Sequence, residues 1–195
     1  MQRGDQTSLM PMELQKKYWS GVGKLLHMMR WSRPDILNPT QELSRFMSRA
    51  TYAHMKAMYR VMKYCVKTPK RGLYLRPNRQ WDRSNKHKFN IIGRSDSNYA
   101  KEPEKRRSVS GYSVFLEGAP VVMVSQMQGH VTLLVTKSKL GAAVNCAQDM
   151  MFVKRLLESM DLKVKLPMVL EVDNKGAMDL CNNWSTGGRT RHVDV

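Results

Sequence analysis

Three aspartates stand where carboxylates could do chemistry. Asp96, Asp173 and Asp194 each close a strand-like run, and groups at strand ends from separate segments of an α/β sheet can converge on one small site. Clustered carboxylates repel one another, and the usual offset is bound Mg²⁺ or Mn²⁺, hard cations that prefer oxygen ligands and also bind phosphates. Two such metals about 4 Å apart can activate a water and stabilise the leaving oxygen in phosphodiester hydrolysis. Between the first two aspartates lies a helix start carrying Lys137 and Lys139 but no carboxylate. Three corners of a metal site are present, and the fourth is reversed in charge. Taken singly, Asp96 also suits a turn former, Asp173 a cap for the following helix and Asp194 a chain-end charge.

The elements that must hold these residues begin near Phe89. Strand-like patterns cover 89–94, 110–116, 121–124 and 131–135, with a turn at Gly118-Ala119-Pro120. The period then changes: Leu140, Val144, Ala147, Met151 and Leu156 suit a long helix reaching about Met160. A strand at 168–172, a short helix at 175–181, a Gly- and Thr-rich loop and a last strand ending at Val193 complete an α/β domain with a mixed sheet.

The first half reads as helices. Tyr18, Val22, Leu25, Leu26 and Met29 follow the helical period over 14–29, and Pro34 with Asp35 opens a second helix carrying Ile36, Leu43, Phe46 and Met47. Pro39 is expected to interrupt or kink that helix. A third, 53–66, sets Met55, Met58, Tyr59, Met62 and Cys65 on one side and Lys56, Arg60, Lys63 and Lys67 on the other. Residues 76–88 read as an exposed basic connector, preceded by a short strand at 72–75.

Charge points to a partner. The net charge is +17 and the pI about 10.1, which favours a polyanion ahead of an anionic membrane surface. Residues 1–93 hold 19 Lys+Arg against 5 Asp+Glu, and residues 94–195 hold 14 against 11, so two units with different jobs are expected. No apolar run has the roughly 18 to 20 residues of a membrane span, and the first ten residues lack a signal-peptide core, which gives an intracellular reading. The 3 cysteines, Cys65, Cys146 and Cys181, form no CxxC pair and suit reduced core positions; the 16 methionines suit core filler.

Several motifs, in order, carry a family resemblance. Ser95-Asp96-Ser97-Asn98-Tyr99-Ala100, Arg107-Ser108-Val109-Ser110-Gly111-Tyr112, Val172-Asp173-Asn174-Lys175-Gly176-Ala177 and Arg189-Thr190-Arg191-His192-Val193-Asp194 resemble the ribonuclease H domain of copia-type LTR retrotransposon Pol polyproteins. Upstream, Gly23-Lys24-Leu25-Leu26, Ser32-Arg33-Pro34-Asp35-Ile36, Leu43-Ser44-Arg45-Phe46-Met47 and Tyr59-Arg60-Val61-Met62-Lys63-Tyr64 resemble the thumb and connection segment of the same reverse transcriptase polyproteins. The resemblance covers residues 18–195.

It implies a ribonuclease H-like mixed α/β sheet flanked by helices, at 89–195, preceded by a small basic helical segment at 1–75 and a basic linker at 76–88. It implies binding of an RNA:DNA hybrid or other nucleic acid, hydrolysis of the RNA strand with Mg²⁺ or Mn²⁺, and Asp96, Asp173 and Asp194 as catalytic metal ligands. Lys56, Arg60, Lys63 and Lys67, with Arg107 and Asn174 from the matching motifs, are assigned to nucleic-acid contact. The rest of a Pol polyprotein is the expected partner, no membrane is, and a cytoplasmic particle or the nucleus is the expected location. The chain is expected to be a fragment that starts after the polymerase palm and lacks the domain's final helix.

This sequence departs from the family at the fourth ligand. The family's Ser/Val-Thr-Glu-Ala-Glu reads Val135-Thr136-Lys137-Ser138-Lys139 here, with Lys139 at the catalytic glutamate, and Asn98 stands where many members have a second aspartate. A charged ammonium has no lone pair for a metal and repels one, so a salt bridge from Lys139 to Asp96 or Asp173 is expected. Three readings stay open: a ribonuclease H that tolerates the lysines, a nucleic-acid-binding module with a dead centre, and a retroelement remnant without selected function.

Overall fold

A computed structural model describes residues 9–84, 86–98, 107–129 and 135–181. The chain divides into two units, Met1–Tyr74 and Leu75–Val195.

In the first unit, α1 (Met12–Trp31) buries Tyr18, Val22 and Leu25, spaced four and three residues apart as the helical period requires. The Tyr18 hydroxyl donates to the Leu43 carbonyl at 2.7 Å, and burial pushes its pKa up to about 12, so it stays a neutral donor. Gly21 lets the helix carrying Met58 approach, since a Cβ there would meet Sδ of Met58 and lie 2.8 Å from its Cε. A 3-10 turn, Pro34–Ile36, leads into α2 (Leu37–Ser44). Pro39 does not interrupt α2: it is the third residue, in the first turn, where N–H groups have no intrahelical acceptor to lose. Phe46 and Met47 lie beyond α2 in a turn, with the Phe46 ring stacked on His54 at 4.0 Å.

The third helix, α3 (Tyr52–Lys67), buries Met55, Met58 and Cys65 and leaves Lys56, Arg60, Lys63 and Lys67 exposed. Tyr59, expected on the apolar side, is 54% exposed instead. Its place on the helical wheel falls among the lysines, and a hydrophobic residue type alone misleads there.

One ion pair fastens the end of α3. Arg33 Nε and Nη2 each donate at 2.9 Å to the two oxygens of Asp35, while Nη1 reaches the Thr68 carbonyl at 3.1 Å and Nη2 its hydroxyl at 2.8 Å. The guanidinium thus satisfies orphan groups at a helix C-terminus as well as a carboxylate. Tyr64 donates its hydroxyl to Asp35 at 2.9 Å. Residues 72–75 form no strand; the Leu73 N–H donates to the Ser32 carbonyl at 3.1 Å, returning the chain to the end of α1.

The second unit is built on a mixed sheet. Its strands are β1 (Lys88–Phe89), β2 (Ile91–Asn98), β3 (Val109–Leu116), β4 (Ala119–Met127), β5 (Lys163–Val164) and β6 (Val169–Val172). Four of them form a sheet in the order β4-β3-β2-β6, antiparallel except for the parallel β2–β6 pair, and β1 pairs separately with β5 in parallel. The β3–β4 turn is Glu117-Gly118, with φ of 49° and 83°, one residue earlier than expected; Ala119 and Pro120 already belong to β4. The Asn78 N–H donates to the Glu117 carbonyl at 2.6 Å, so the exposed connector is fastened to this turn.

A single long helix, α4 (Val135–Ser159), covers β2 and β3, and the short α5 (Lys175–Cys181) follows β6. Ser138, Ala142, Cys146, Met150, Val153 and Leu157 form the buried side of α4. The facing positions of β2 are small: a Cβ on Gly93 would lie 2.8 Å from Cys146 Sγ and nearer still to Met150 Sδ. Val135, expected in a strand, starts α4, and 131–134 lie outside the described residues. The loop and last strand expected through Val193 also lie outside them, as does the side chain of Cys181; Cys65 and Cys146 are buried free thiols, as expected. The two-residue β5 was not legible, because Lys163-Val164 is too short to show alternation.

Candidate functional site

The central pair of parallel strands creates the site. In the β2–β6 register Ser95 lies opposite Val172, so Asp96 and Asp173 occupy the next positions on neighbouring strands, at the same carboxyl-terminal edge. Strands pair about 4.8 Å apart, which brings two carboxylates from residues far apart in sequence within reach of one ion.

That ion is supplied by the chain. Lys139, in the first turns of α4, donates from Nζ to Asp96 Oδ1 at 3.0 Å and to Asp173 Oδ2, with its own side chain 14% exposed against 61% and 54% for the two aspartates. The expectation was a bridge to one aspartate, and the lysine takes both. The hydrogen bond from Lys139 holds the Asp96 carboxyl below its usual range against the opposing effect of burial. Burial alone would lower the Lys139 pKa, but Asp173 and Asp96 together outweigh it and raise the ammonium above the ordinary lysine value. Asp96 Oδ1 also accepts from the Ser97 N–H at 2.6 Å.

Buried hydroxyls set the helix that delivers Lys139. Ser138 Oγ donates to Ser97 Oγ at 2.8 Å, and Gln128 Nε2 donates to Ser110 Oγ and to the Ser138 carbonyl, each at 2.8 Å. The start of α4 is thereby fixed against β2, β3 and the end of β4. These four residues escaped sequence reasoning. The available signal was Ser95 and Ser97 alternating inward on β2, where a strand facing a helix normally carries larger apolar groups.

The remaining expected site residues are placed as follows. Asn174 accepts from the Ala177 N–H at 2.9 Å and so caps α5, the role weighed for Asp173. Arg107 precedes β3 just beyond Asn98 in the β2–β3 register, at the same end of the sheet as Asp96, and its Nε is covered without a hydrogen-bond partner. Asp194 lies outside the described residues. Lys56, Arg60, Lys63 and Lys67 belong to the first unit and share the exposed side of α3.

The chain is 27% identical over 177 residues, 91% of its length, to the retrovirus-related Pol polyprotein from transposon RE1 of Arabidopsis thaliana, and 29% identical over 178 residues to that from transposon TNT 1-94 of Nicotiana tabacum. It is 33% identical over 132 residues, 87% of that protein, to Secreted RxLR effector protein 161 of Plasmopara viticola. The chain is thus similar to retrovirus-related Pol polyproteins over about 90% of its length. It spans only 12% and 13% of the length of the RE1 and TNT 1-94 Pol polyproteins. No family model and no solved structure matches it.

Divalent metal, the cofactor implied by resemblance to Pol ribonuclease H domains, does not fit the described residues around Asp96 and Asp173. The position between the two carboxylates is taken by an ammonium, and a dication 4 Å from it would be repelled by roughly 8 kcal/mol at an effective dielectric near 20. Among the described residues no group of three or more His, Cys, Asp or Glu could hold a metal ion. Among them, too, no helix is long and apolar enough to cross a membrane.

Proposed function

We propose that this chain is a Pol-derived nucleic-acid-binding segment whose second unit is a ribonuclease H-like domain with its centre closed by Lys139. One observation carries the reading: the Lys139 ammonium binds Asp96 and Asp173 together, at adjacent parallel strand ends. Two strand-end acids beside one base leave a surplus negative charge that the fold does not need. Such a surplus fits a centre descended from a metal-binding one. With the ammonium in place the domain contacts RNA:DNA hybrid and does not hydrolyse it, and the excess of Lys and Arg supplies the affinity.

Cleavage of a labelled RNA:DNA hybrid with Mg²⁺ or Mn²⁺ tests the reading. The native chain should bind the hybrid with an affinity that falls steeply with salt, and leave it intact. Lys139→Glu, alone and with Lys137→Glu, should introduce divalent-metal binding that the native chain lacks. Hybrid cleavage by the native chain, abolished by Asp173→Asn, would overturn the proposal in favour of an active ribonuclease H. Affinity that is flat between low and physiological salt would remove the nucleic-acid partner.

A further inference from the structure

The outer side of α3 combines two chemistries that a merely solvated helix does not need together. At about 100° per residue, Tyr52, Lys56, Tyr59, Arg60, Lys63 and Lys67 fall within a sector of about 120°. All six are exposed, the two tyrosines at 54% each, and among the described residues none of the four cations is held by an ion pair or hydrogen bond. Between Glu42 and Asp82 the chain has 10 Lys or Arg and no carboxylate side chain, so nothing on α3 neutralises the stripe.

Charge complementarity selects a polyanion, and the rings select its form. Tyr52 and Tyr59 are seven residues apart, about 10 Å along the axis, with Lys56 between them. An exposed ring offers a flat apolar surface to another flat π-system. In a duplex the base faces are stacked on one another and unavailable; in a single strand they are free. The sector holds no Asn, Gln, Asp or Glu to read base edges, so contact there would be tolerant of sequence.

We propose that this side of α3 binds single-stranded polynucleotide, with unpaired bases stacking on Tyr52 and Tyr59 and the neighbouring phosphates held by Lys56, Arg60, Lys63 and Lys67. The inference deepens the nucleic-acid reading above and rests on it only for the class of polymer; it is independent of Lys139.

Fluorescence anisotropy of labelled oligothymidylate and oligouridylate with the full chain, across a salt series, tests it. The double variant Tyr52→Leu/Tyr59→Leu should bind at least about tenfold more weakly with an unchanged salt slope, because stacking is lost and charge is not. Tyr52→Phe/Tyr59→Phe should bind as the native chain does, since stacking needs the ring and not the hydroxyl. Lys63→Gln/Lys67→Gln should instead flatten the slope by about 0.7 for each cation removed. Circular dichroism of each variant checks that α3 is intact. Native affinity in the Leu variant, or tight binding to phosphatidylserine vesicles with none to either oligonucleotide, would overturn the proposal. A labelled RNA:DNA hybrid separates the two readings: loss of hybrid binding alone sinks the ribonuclease H-like reading, and loss of oligonucleotide binding alone sinks this one.

Discussion

Each unit contains a largely buried cation clamped by carboxylate, Arg33 in the first and Lys139 in the second, and the two clamps are built to different rules. In the first unit, Arg33 is 5% exposed and meets a single acid, Asp35, with its fixed fork, spending its remaining donors on the end of α3. One charge answers one charge and every direction is satisfied, which is how an ion pair serves a fold. In the second unit, Lys139 is a point charge between two half-exposed acids delivered by separate strands, with one negative charge left over. A structural pair has no reason to collect a second aspartate. Balance marks the first clamp, and imbalance marks the second.

The comparison can be broken by removing each cation. Arg33→Met should cost the first unit about 3 to 5 kcal/mol, measured by urea unfolding, because Asp35 and the Thr68 carbonyl lose their partner together. Equal stability of native and variant would mean the clamp is ornamental. Lys139→Met should cost the second unit only about 1 kcal/mol, since its carboxylates keep half their water. Added Mg²⁺ should raise the melting temperature of that variant and leave the native chain unchanged. A native chain stabilised by Mg²⁺ would contradict the closed centre. Tyr64→Phe, which removes one hydrogen bond to Asp35, should cost about 1 kcal/mol and raise the Asp35 pKa.

Acid and base separate the clamps further. Arg33 first, then Tyr64, lowers the Asp35 pKa to about 2 from 3.8. A carboxyl depressed on folding stabilises above its unfolded value and loses that contribution as pH falls through the folded one. The first unit should therefore hold this contribution down to about pH 4 and lose it toward pH 2, as followed by circular dichroism. Asp96 obeys the same sign. Lys139, raised on folding, has the opposite one: its contribution is complete below the ordinary lysine pKa and lost as pH rises through the elevated value. Alkaline titration should loosen the second clamp and leave Arg33 charged.

Much of this was legible in order and little of it in contact. The helices, the four strands of the β4-β3-β2-β6 sheet and the lysine at the acidic site follow from period and motif, because those signals are local. Pro39 misled because a proline reads as a break until its position within the first helical turn is known. Tyr59 misled because residue type was allowed to decide its side of α3. The Arg33 clamp joins residues 32 and 35 positions apart, and the Ser97–Ser138 bond 41 apart, and no periodicity encodes such partners.

The parallel β2–β6 pair also orders events during synthesis. Arg94 and Glu171, which face each other across it, are 77 residues apart, so β2 emerges long before its neighbour. Until Val169 is made, one side of the central strand has bare N–H and C=O groups, the condition that recruits strands from other chains. Pieces of this sequence that end before β6 are expected to aggregate when expressed, and the boundary between soluble and insoluble products should fall at that strand.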